Sequence, residues 1–357
     1  TEAKNKLPYK EQMVSASGSS ISSEGRADKM AAEAMLARVY MTLAGSPYND
    51  SNAKSLAKTQ LENILNYSVA NGDKYWAPTL DEWRKQWMPS TDYYNKYSIF
   101  AIQHRTNENR NYLIFNFSPG LPPSYTSRRI FGNSIWVEKT LEYEFERTFS
   151  NGKKDGRGIG FTILEGYEEE PNYPAYTNDR ENVILEDGTT VEVYTKTMFY
   201  KYLPSKPKLA ELGMSFDESS MAGDYDWPVN FPILRLEDMM LLYAELLADE
   251  GNVVEAMYYV NKIRERAGCD PETASTSADA LRLIKRERRV ELAGEGIRWF
   301  DLVRYGEWQS AITRMFDNYN NPDGTDKSEL KNGRYLYPIP LDQMNAVPGL
   351  YSQNEGY

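Results

Sequence analysis

The stretch ERRVELAGEGIRWFDLVRYGEW, residues 287–308, is dense in charge where a core-facing helix would carry Leu or Val. It also holds two tryptophans, together with apolar residues that could pack against neighbouring helices. Three of its glutamates are four residues apart and share one face if the segment is helical: Glu287, Glu291 and Glu295. Such charged residues either take part in catalysis or form ion pairs that hold packed helices together. Which of these two roles they have decides how the fold is interpreted.

The second half of the stretch favours the structural explanation. If 297–305 is helical, Asp301 lies three residues from both Arg298 and Arg304, a spacing that forms ion pairs on a helix surface. A catalytic pair of carboxyl groups instead needs surroundings that separate the two pKa values. We therefore predict neutralised Arg–carboxylate pairs, partly buried, that fix the geometry of the packed helices.

The composition indicates a globular protein. Of 357 residues, 41% are hydrophobic and 13% aromatic, with 27 tyrosines, whereas disordered chains are poor in aromatic residues. The net charge of −11 and the lack of a basic run argue against a nucleic-acid partner, because phosphate binding needs clustered Lys and Arg. An acidic surface suits a neutral partner such as a sugar better than an anionic one.

One cysteine and one histidine limit the chemistry open to the chain. Cys269 alone can form neither an internal disulfide nor a thiolate metal site, and it follows a predicted helix end. A Ser-His-Asp triad or a zinc site would depend on His104 alone. The segment 317–329 fails as an EF-hand, because its first and last ligand positions would be Tyr319 and Leu330. We expect no catalytic residue, no metal and no cofactor.

Helical periodicity marks both ends of the chain. We predict helices over 25–45, 51–67, 253–267 and 278–293, and a further helix that starts where the chain turns helical, from Phe231, and that Gly251 ends. Their apolar residues are expected to face inward, including Val39 and Leu56 in the first two helices. Helices of this length joined by short loops resemble tetratricopeptide-type pairs, in which each pair buries its apolar face against the next.

Aromatic residues, Asn, Gly and Pro dominate the middle of the chain. Extended segments are predicted at 97–105, 156–164 and 189–203, and loops as long as those between them are commonly functional. The sequence thus divides into three regions: a first helical part at 1–70, a loop-rich ligand-binding region with short strands at 71–230, and a C-terminal helical region at 231–357.

Four stretches towards the C-terminus together resemble the SusD/RagB family of outer-membrane glycan-binding lipoproteins. They follow the family's order and are NFPILRLEDMMLLYAELLADEGN (230–252), AMYYVNKIRERAG (256–268), IKRERRVELAGEGIRWFDLVRYG (284–306) and YLYPIPLDQMNAVPGLYSQNEGY (335–357). The stretch GRADKMAAEAMLARVYMTLAG (25–45) also fits a family helix. Gly294 and Ile297 depart from the family pattern, at positions expected to pack.

The resemblance implies a mainly α fold, a SusD-like α/α scaffold of tetratricopeptide-like helical pairs with long aromatic-rich loops and a few short strands. It implies binding of oligosaccharide or polysaccharide at the cell surface of a Gram-negative bacterium, without cleavage, and delivery to a SusC-like TonB-dependent transporter for nutrient uptake. It also implies an N-terminal lipid anchor and a first helical portion ahead of Thr1, so part of the family's binding surface is expected to be absent from this chain.

Sugar recognition stacks aromatic rings on pyranose faces and pairs hydroxyl groups with Asn, Asp or Arg, so we expect site residues on polar loops. Tyr125, in PPSYTSRR, is the strongest candidate. The other candidates are Asn109, Tyr112, Phe117, Arg128, Arg129 and Trp136, with Asn107 and Asn111 as further hydrogen-bonding partners and Tyr173 and Tyr176 in reserve. Three further tryptophans, Trp76, Trp83 and Trp87, are spaced as a helix-packing stripe.

Two other functions remain open from the residues alone. A glycoside hydrolase on a helical scaffold would need two carboxylates in an aromatic cleft, and the acidic run at 168–170 is instead predicted to be a solvated loop. A helical-repeat scaffold that binds only protein would bind no sugar, and its loop aromatics would be incidental.

Overall fold

The predicted mainly α fold is confirmed by the computed structural model. It describes residues 2–15, 17–20, 25–89, 96–109, 111, 120–128, 135–173, 175–176, 179–185, 187–318 and 334–357, except the side chains of 315–318. The helices in this part of the chain are α1 Glu2–Lys6, α2 Lys29–Ala44, α3 Ser51–Ala70, α4 Leu80–Lys85, α5 Lys139–Glu146, α6 Lys206–Glu211, α7 Leu236–Asp249, α8 Val253–Arg266, α9 Ser277–Glu291, α10 Arg298–Tyr305, α11 Trp308–Asn318 and α12 Leu341–Ala346, with 3-10 turns at Lys10–Gln12 and Glu218–Ser220.

Helix α7 lies at the centre of the scaffold. Every residue from Leu236 to Ala248 is buried, because α2, α3, α8 and α9 all pack against this helix, as α2 does against α3 and α8 against α9. A helix that is apolar nearly all round is stable only inside such a bundle. The helical pairs predicted from periodicity therefore share one hydrophobic core, built around α7.

The inward stripe of α2 is narrower than predicted. Met30, Ala34 and Ala37 are fully buried, whereas Val39 on α2 and Leu56 on α3 are each 45% exposed, so their predicted inward orientation is wrong. Small Ala side chains let helices approach closely, so a narrow stripe is enough to fill the contact.

Capping residues set where the helices begin and end. Asp28 accepts a hydrogen bond from the Ala31 amide at 2.7 Å, which starts α2 four residues later than periodicity alone predicts. Helix α10 ends at Gly306, whose φ of 72° is a left-handed conformation that favours glycine.

The strands form three antiparallel pairs in the described residues. They are β1 Ser98–Ile102 with β6 Phe231–Arg235, β2 Ile163–Leu164 with β5 Met198–Phe199, and β3 Arg180–Ile184 with β4 Thr190–Tyr194. The β1–β6 pair joins the middle of the chain to the start of α7. The helix predicted from Phe231 is therefore wrong for Phe231–Arg235, because these residues pair with β1 as a strand. The extended segment predicted at 156–164 is a strand only at its last two residues, because hydrogen bonds such as Gly158 N to Asp155 O, at 3.0 Å, fold the rest into turns.

Buried ion pairs are confirmed for Glu287, Glu291, Glu295 and the Asp301–Arg304 spacing, and they are buried completely rather than partly. Arg157 donates to Glu287 at 2.6 Å and to Glu291 at 2.7 Å. Arg235 donates to Glu291 at 3.0 Å and also binds Glu295. The Asp301–Arg304 pair forms at 2.8 Å. The charges in this stretch therefore tie the α9–α10 region to the β6 strand and to the 155–157 turn.

Glu291 stays ionised in spite of its surroundings. Burial opposes ionisation, but the guanidinium groups of Arg266, Arg235 and Arg157 outweigh it and hold the pKa of Glu291 well below its usual range. The indole of Trp83 adds a hydrogen bond from Nε1 at 2.9 Å. Trp83 is fully buried, which confirms its predicted place in the core.

None of the helices in the described residues is long and apolar enough to cross a membrane.

Candidate functional site

A cleft of about 840 Å³ opens between the 120–128 loop and the segment that follows β2. Four tyrosines line it, together with acidic residues of the 165–170 stretch. The tyrosines are Tyr125, Tyr167, Tyr176 and Tyr194. A cavity of this size with aromatic walls and a few polar groups is the usual form of a small-ligand site.

The aromatic rings in and beside the cleft form a continuous row. Trp136 stacks on Tyr176 with ring centroids 6.4 Å apart and planes 7° apart. Tyr176 stacks on Tyr167 at 5.8 Å, and Tyr167 contacts Tyr125 at 6.2 Å. Tyr125 in turn meets the buried Tyr200 edge-on at 6.1 Å. Such a row offers several flat apolar faces in sequence, with a hydroxyl group on each tyrosine.

A short hairpin places two of these tyrosines side by side. The backbones of Tyr167 and Tyr176 exchange hydrogen bonds at 3.2 and 3.0 Å, and Glu170 and Tyr173 pair at the turn. Residues directly opposite in an antiparallel pair point to the same face. Gly166 permits this pairing, because a Cβ there would lie 2.4 Å from the Tyr176 carbonyl oxygen. The hairpin 166–176 therefore needs glycine at its base.

Tyr125 is held by a turn on the opposite wall. Its amide donates to the Pro122 carbonyl at 2.9 Å, and its own carbonyl accepts from the Lys206 amide at 2.8 Å. The Lys206 ammonium group also donates to the Pro123 carbonyl at 2.7 Å. These bonds anchor the loop to the start of α6, so the Tyr125 ring is placed before any ligand arrives.

Burial raises the pKa of three of the cleft tyrosines, Tyr125, Tyr167 and Tyr176. Burial raises the pKa of Tyr125, and the charges of Glu170 and Glu168 raise it further. Burial, followed by the neighbouring Tyr167, raises the pKa of Tyr176 to about 12. The hydroxyl groups of Tyr167 and Tyr176 donate to the carbonyls of Gly120 and Lys196, so Tyr125 is the better hydrogen-bond donor for a ligand. The nearby carboxylates make the cleft electronegative.

The structure brings only some of the predicted site residues together. Tyr125 and the reserve candidate Tyr176 line the cleft, and Trp136 stacks at its edge. Trp136 also borders a second cavity of about 410 Å³ between α5 and α10. Tyr112, Phe117 and Arg129 lie outside the described residues, so their assignment stays a prediction.

The polar candidates hold loops in place. The Arg128 guanidinium donates to the Met221 carbonyl at 2.8 Å and to that of Glu218. Asn107 accepts from the Ala222 amide at 2.8 Å. Asn109 accepts from the Arg105 amide at 2.7 Å, and the buried Asn111 donates to the Val229 carbonyl at 2.8 Å. None of these four is among the described residues that line the cleft.

Two residues that line the cleft, Tyr167 and Tyr194, were not predicted from the sequence. Tyr167 follows Gly166 and precedes the acidic run and a Pro-Asn turn, a pattern that signals a hairpin. Tyr194 ends β4, and only the fold brings it to the cleft. Glu168 and Glu169 are exposed, as predicted for the acidic run, whereas Glu170 is half-buried.

Comparisons with known proteins agree on one family. The model of the SusD family matches residues 89–357. The SusD-like protein P38 of Formosa agariphila is 27% identical over 303 residues, which are 80% of this chain and 53% of that protein. The chain thus spans about half the length of that relative.

Solved structures share the fold. A SusD homolog from Bacteroides thetaiotaomicron matches with a TM-score of 0.71 and 18% identity, covering 98% of this chain and 67% of that one. A laminarin-binding SusD-like protein matches with a TM-score of 0.62 and 20% identity, covering 100% of this chain and 67% of that one. At these identities the likeness bears on the fold alone.

Proposed function

The chain belongs to the SusD family, and on that basis we propose that it binds oligosaccharide or polysaccharide in the cleft lined by Tyr125, Tyr167, Tyr176 and Tyr194. The observation that carries the proposal is the row of rings that runs from Trp136 to Tyr125. Pyranose rings present flat C–H faces that stack on aromatic side chains, and the hydroxyl group of Tyr125 can hydrogen-bond to a sugar hydroxyl. The relative that binds laminarin supports a glycan as the ligand class.

The charge of the cleft favours a neutral glycan. Glu165, Glu168, Glu169 and Glu170 all border the cavity, and like charges in a desolvated site repel an anionic ligand. Sulfated or uronate-rich polymers would place anions beside these carboxylates. A neutral glucan or a similar uncharged polymer meets no such penalty.

The arrangement of the carboxylates supports binding without cleavage. Glycosidases hold their two carboxyl groups about 5–5.5 Å or about 6.5–9.5 Å apart across the scissile bond. Here Glu142, Glu146 and Glu165 each have an oxygen within 4.8 Å of the others, and Glu142 is fully buried. Because Glu142 has no exposed surface, it cannot contact a sugar in the cleft and cannot serve as either carboxyl group of a glycosidase.

The partner and location follow from the family. We infer that the whole protein is a surface-exposed lipoprotein of the outer membrane, attached through an N-terminal lipid anchor, and that it passes its glycan to a SusC-like TonB-dependent transporter. Co-purification of the two proteins from detergent-solubilised membranes tests this part separately from glycan binding.

The experiment that tests the ligand class is a calorimetric titration against a panel of soluble polysaccharides. The panel pairs neutral polymers with sulfated or uronate-rich ones, and new reducing ends are assayed in the same samples. We expect heat of binding with at least one neutral glycan, weaker or no binding of the anionic ones, and no new reducing ends.

Two results would contradict the proposal. New reducing ends would favour the hydrolase, the first of the two alternatives. An absence of binding across the panel, for this chain and for a version extended at the N-terminus, would favour a scaffold that binds only protein.

A further inference from the structure

We propose a binding site for a hard divalent cation, with Ca²⁺ as the best fit, formed by Glu142, Glu146 and Glu165 at the wall of the cleft. Glu142 and Glu146 share one face of α5, and Glu165 directly follows β2. The site therefore joins α5 to the segment after β2. Helix α5 also packs on the β3–β4 pair.

The spacing of the oxygens fits one ion. One carboxylate oxygen from each glutamate lies within 4.8 Å of those from the other two. Ca²⁺ binds oxygens at about 2.3–2.6 Å, so two ligands of one ion can lie up to about 4.6–5.2 Å apart. The three oxygens can therefore share a single Ca²⁺ without rearrangement of the backbone.

Unpartnered buried oxygens are the independent observation that points to a ligand. Glu142 is 0% exposed, yet neither of its carboxylate oxygens has a hydrogen-bond partner among the described residues, and the same holds for Oε1 of Glu165. The backbone amide of Tyr194 faces Glu142 and favours its ionised form, but it makes no hydrogen bond of standard geometry. Buried carboxylates are normally paired or coordinate a metal.

The positively charged side chains around the cluster do not fully neutralise its three carboxylates. Arg180 of β3 donates to Oε1 of Glu146 at 2.6 Å, and the Lys154 ammonium lies 3.5 Å from the same oxygen. The basic residues of α9 that face α5 pair with other carboxylates: Arg289 with Glu138 and Arg286 with Glu144. Arg180 also favours the ionised form of Glu142, and Arg180 and Lys154 both favour that of Glu165. Two cations do not fully balance three carboxylates, and a bound divalent ion would supply the missing positive charge.

The donor set selects the class of metal. Three carboxylates are hard oxygen ligands, which suit Ca²⁺, Mg²⁺ or Mn²⁺, whereas zinc and copper sites rely on Cys or His. Without a metal, burial and then the charges of Glu146 and Glu165 raise the pKa of Glu142 to about 8. Three carboxylates this close together repel one another, and a bound divalent cation would relieve that repulsion.

A cation here would stiffen the cleft. Glu165 precedes the hairpin that carries Tyr167 and Tyr176, and it lines the cavity itself. Tyr194 also lines the cavity, and its ring lies 4.0 Å from the Arg180 guanidinium. If the cleft binds glycan as proposed, the ion fixes one of its walls, whereas metal binding itself does not depend on that function.

The test is a titration of CaCl₂ into metal-free protein, without glycan, followed by calorimetry and by the thermal unfolding midpoint. We expect one Ca²⁺ per chain and a rise of the midpoint by about 3–6 °C when free Ca²⁺ exceeds the dissociation constant about 100-fold.

Matched variants locate the effect. Glu142→Gln should abolish both the heat of Ca²⁺ binding and the shift of the unfolding midpoint. Glu165→Gln, a second variant at the half-buried edge of the cluster, should have the same effect. Glu169→Gln, an exposed neighbour on the hairpin, should bind Ca²⁺ as the unmodified chain does. The inference is overturned if CaCl₂ at millimolar concentration gives no heat, or if Glu142→Gln binds it unchanged. Because no glycan is present, neither result bears on the proposed glycan binding.

Discussion

Glu291 shows how single residues carry the fold of this protein. It accepts hydrogen bonds from Arg157, Arg235 and Arg266, all within 3.0 Å, in a fully buried position. Replacing such a network by apolar residues can be harmless, but the loss of one partner leaves a buried charge uncompensated. The network therefore restricts which side chains can pack together around Glu291.

Substitution of Glu291 is expected to be costly. In Glu291→Gln the three guanidinium groups lose their shared anion, and we expect a loss of about 3–5 kcal/mol in the free energy of unfolding. Denaturant titration measures this loss. The matched control is Glu250→Gln, which breaks the exposed pair with Lys58 and should change stability by less than about 1 kcal/mol. Equal midpoints for the two variants would show that the network is not structurally important.

At the scale of secondary structure, the hairpin 166–176 is the element on which the proposed site depends most. Its two cross-strand contacts, Tyr167 with Tyr176 and Glu170 with Tyr173, set the tilt of two rings in the cleft. Tyr167 also donates to the Gly120 carbonyl at 3.2 Å, and Tyr176 to that of Lys196 at 2.7 Å. The hairpin is therefore fixed to the loops on both sides of it.

A methyl group at the base of the hairpin should disturb binding more than stability. Gly166→Ala places a Cβ against the Tyr176 carbonyl, so the hairpin must shift, and we expect glycan affinity to fall by about 10-fold. The core helices are remote from this change, so the thermal midpoint should move by less than about 3 °C. Gly223→Ala, where an added Cβ meets nothing within 4 Å, should leave both unchanged. Full affinity in Gly166→Ala would contradict the proposed role of the hairpin.

The helices could be predicted from the sequence and most of the cleft could not. Periodicity locates α7 because apolar residues recur throughout it, and it misplaces the start of α2 because Asp28 caps the helix later than the pattern suggests. Tyr125 was found from its own polar neighbours. Its contact with Tyr167, and that of Glu165 with Glu142, depend on long-range packing that no local pattern encodes.

At the scale of the whole molecule, buried carboxylates make stability depend on pH in two directions. Burial opposes ionisation of Asp238, but Arg38 and Arg288 outweigh it and lower its pKa to about 2. A lowered pKa stabilises the folded state above the unfolded-state value, about pH 4, and that stability is lost as the pH falls further. Glu142, with its raised pKa, acts in the opposite sense and destabilises the folded chain as the pH rises towards 8.

Acid should therefore unfold the protein through these ion pairs. Between pH 5 and pH 2 we expect Asp238 alone to account for a loss of about 2 kcal/mol in the free energy of unfolding. Denaturant midpoints at pH 2.5, 3.5 and 5 measure the slope. Asp238→Asn should be less stable at pH 5 and should show a shallower decline. The same slope in both proteins would contradict the assignment.

The most direct test of the central claim compares the glycan affinity of the unmodified chain with that of Tyr125→Ala. Removal of this ring takes away one stacking face of the cleft, and we expect the dissociation constant for the preferred neutral glycan to rise at least about 10-fold. Tyr258→Ala, at a 59% exposed position on α8, should bind as the unmodified chain does. Equal affinity in all three proteins would show that the glycan binds elsewhere and that the aromatic row is only a packing feature.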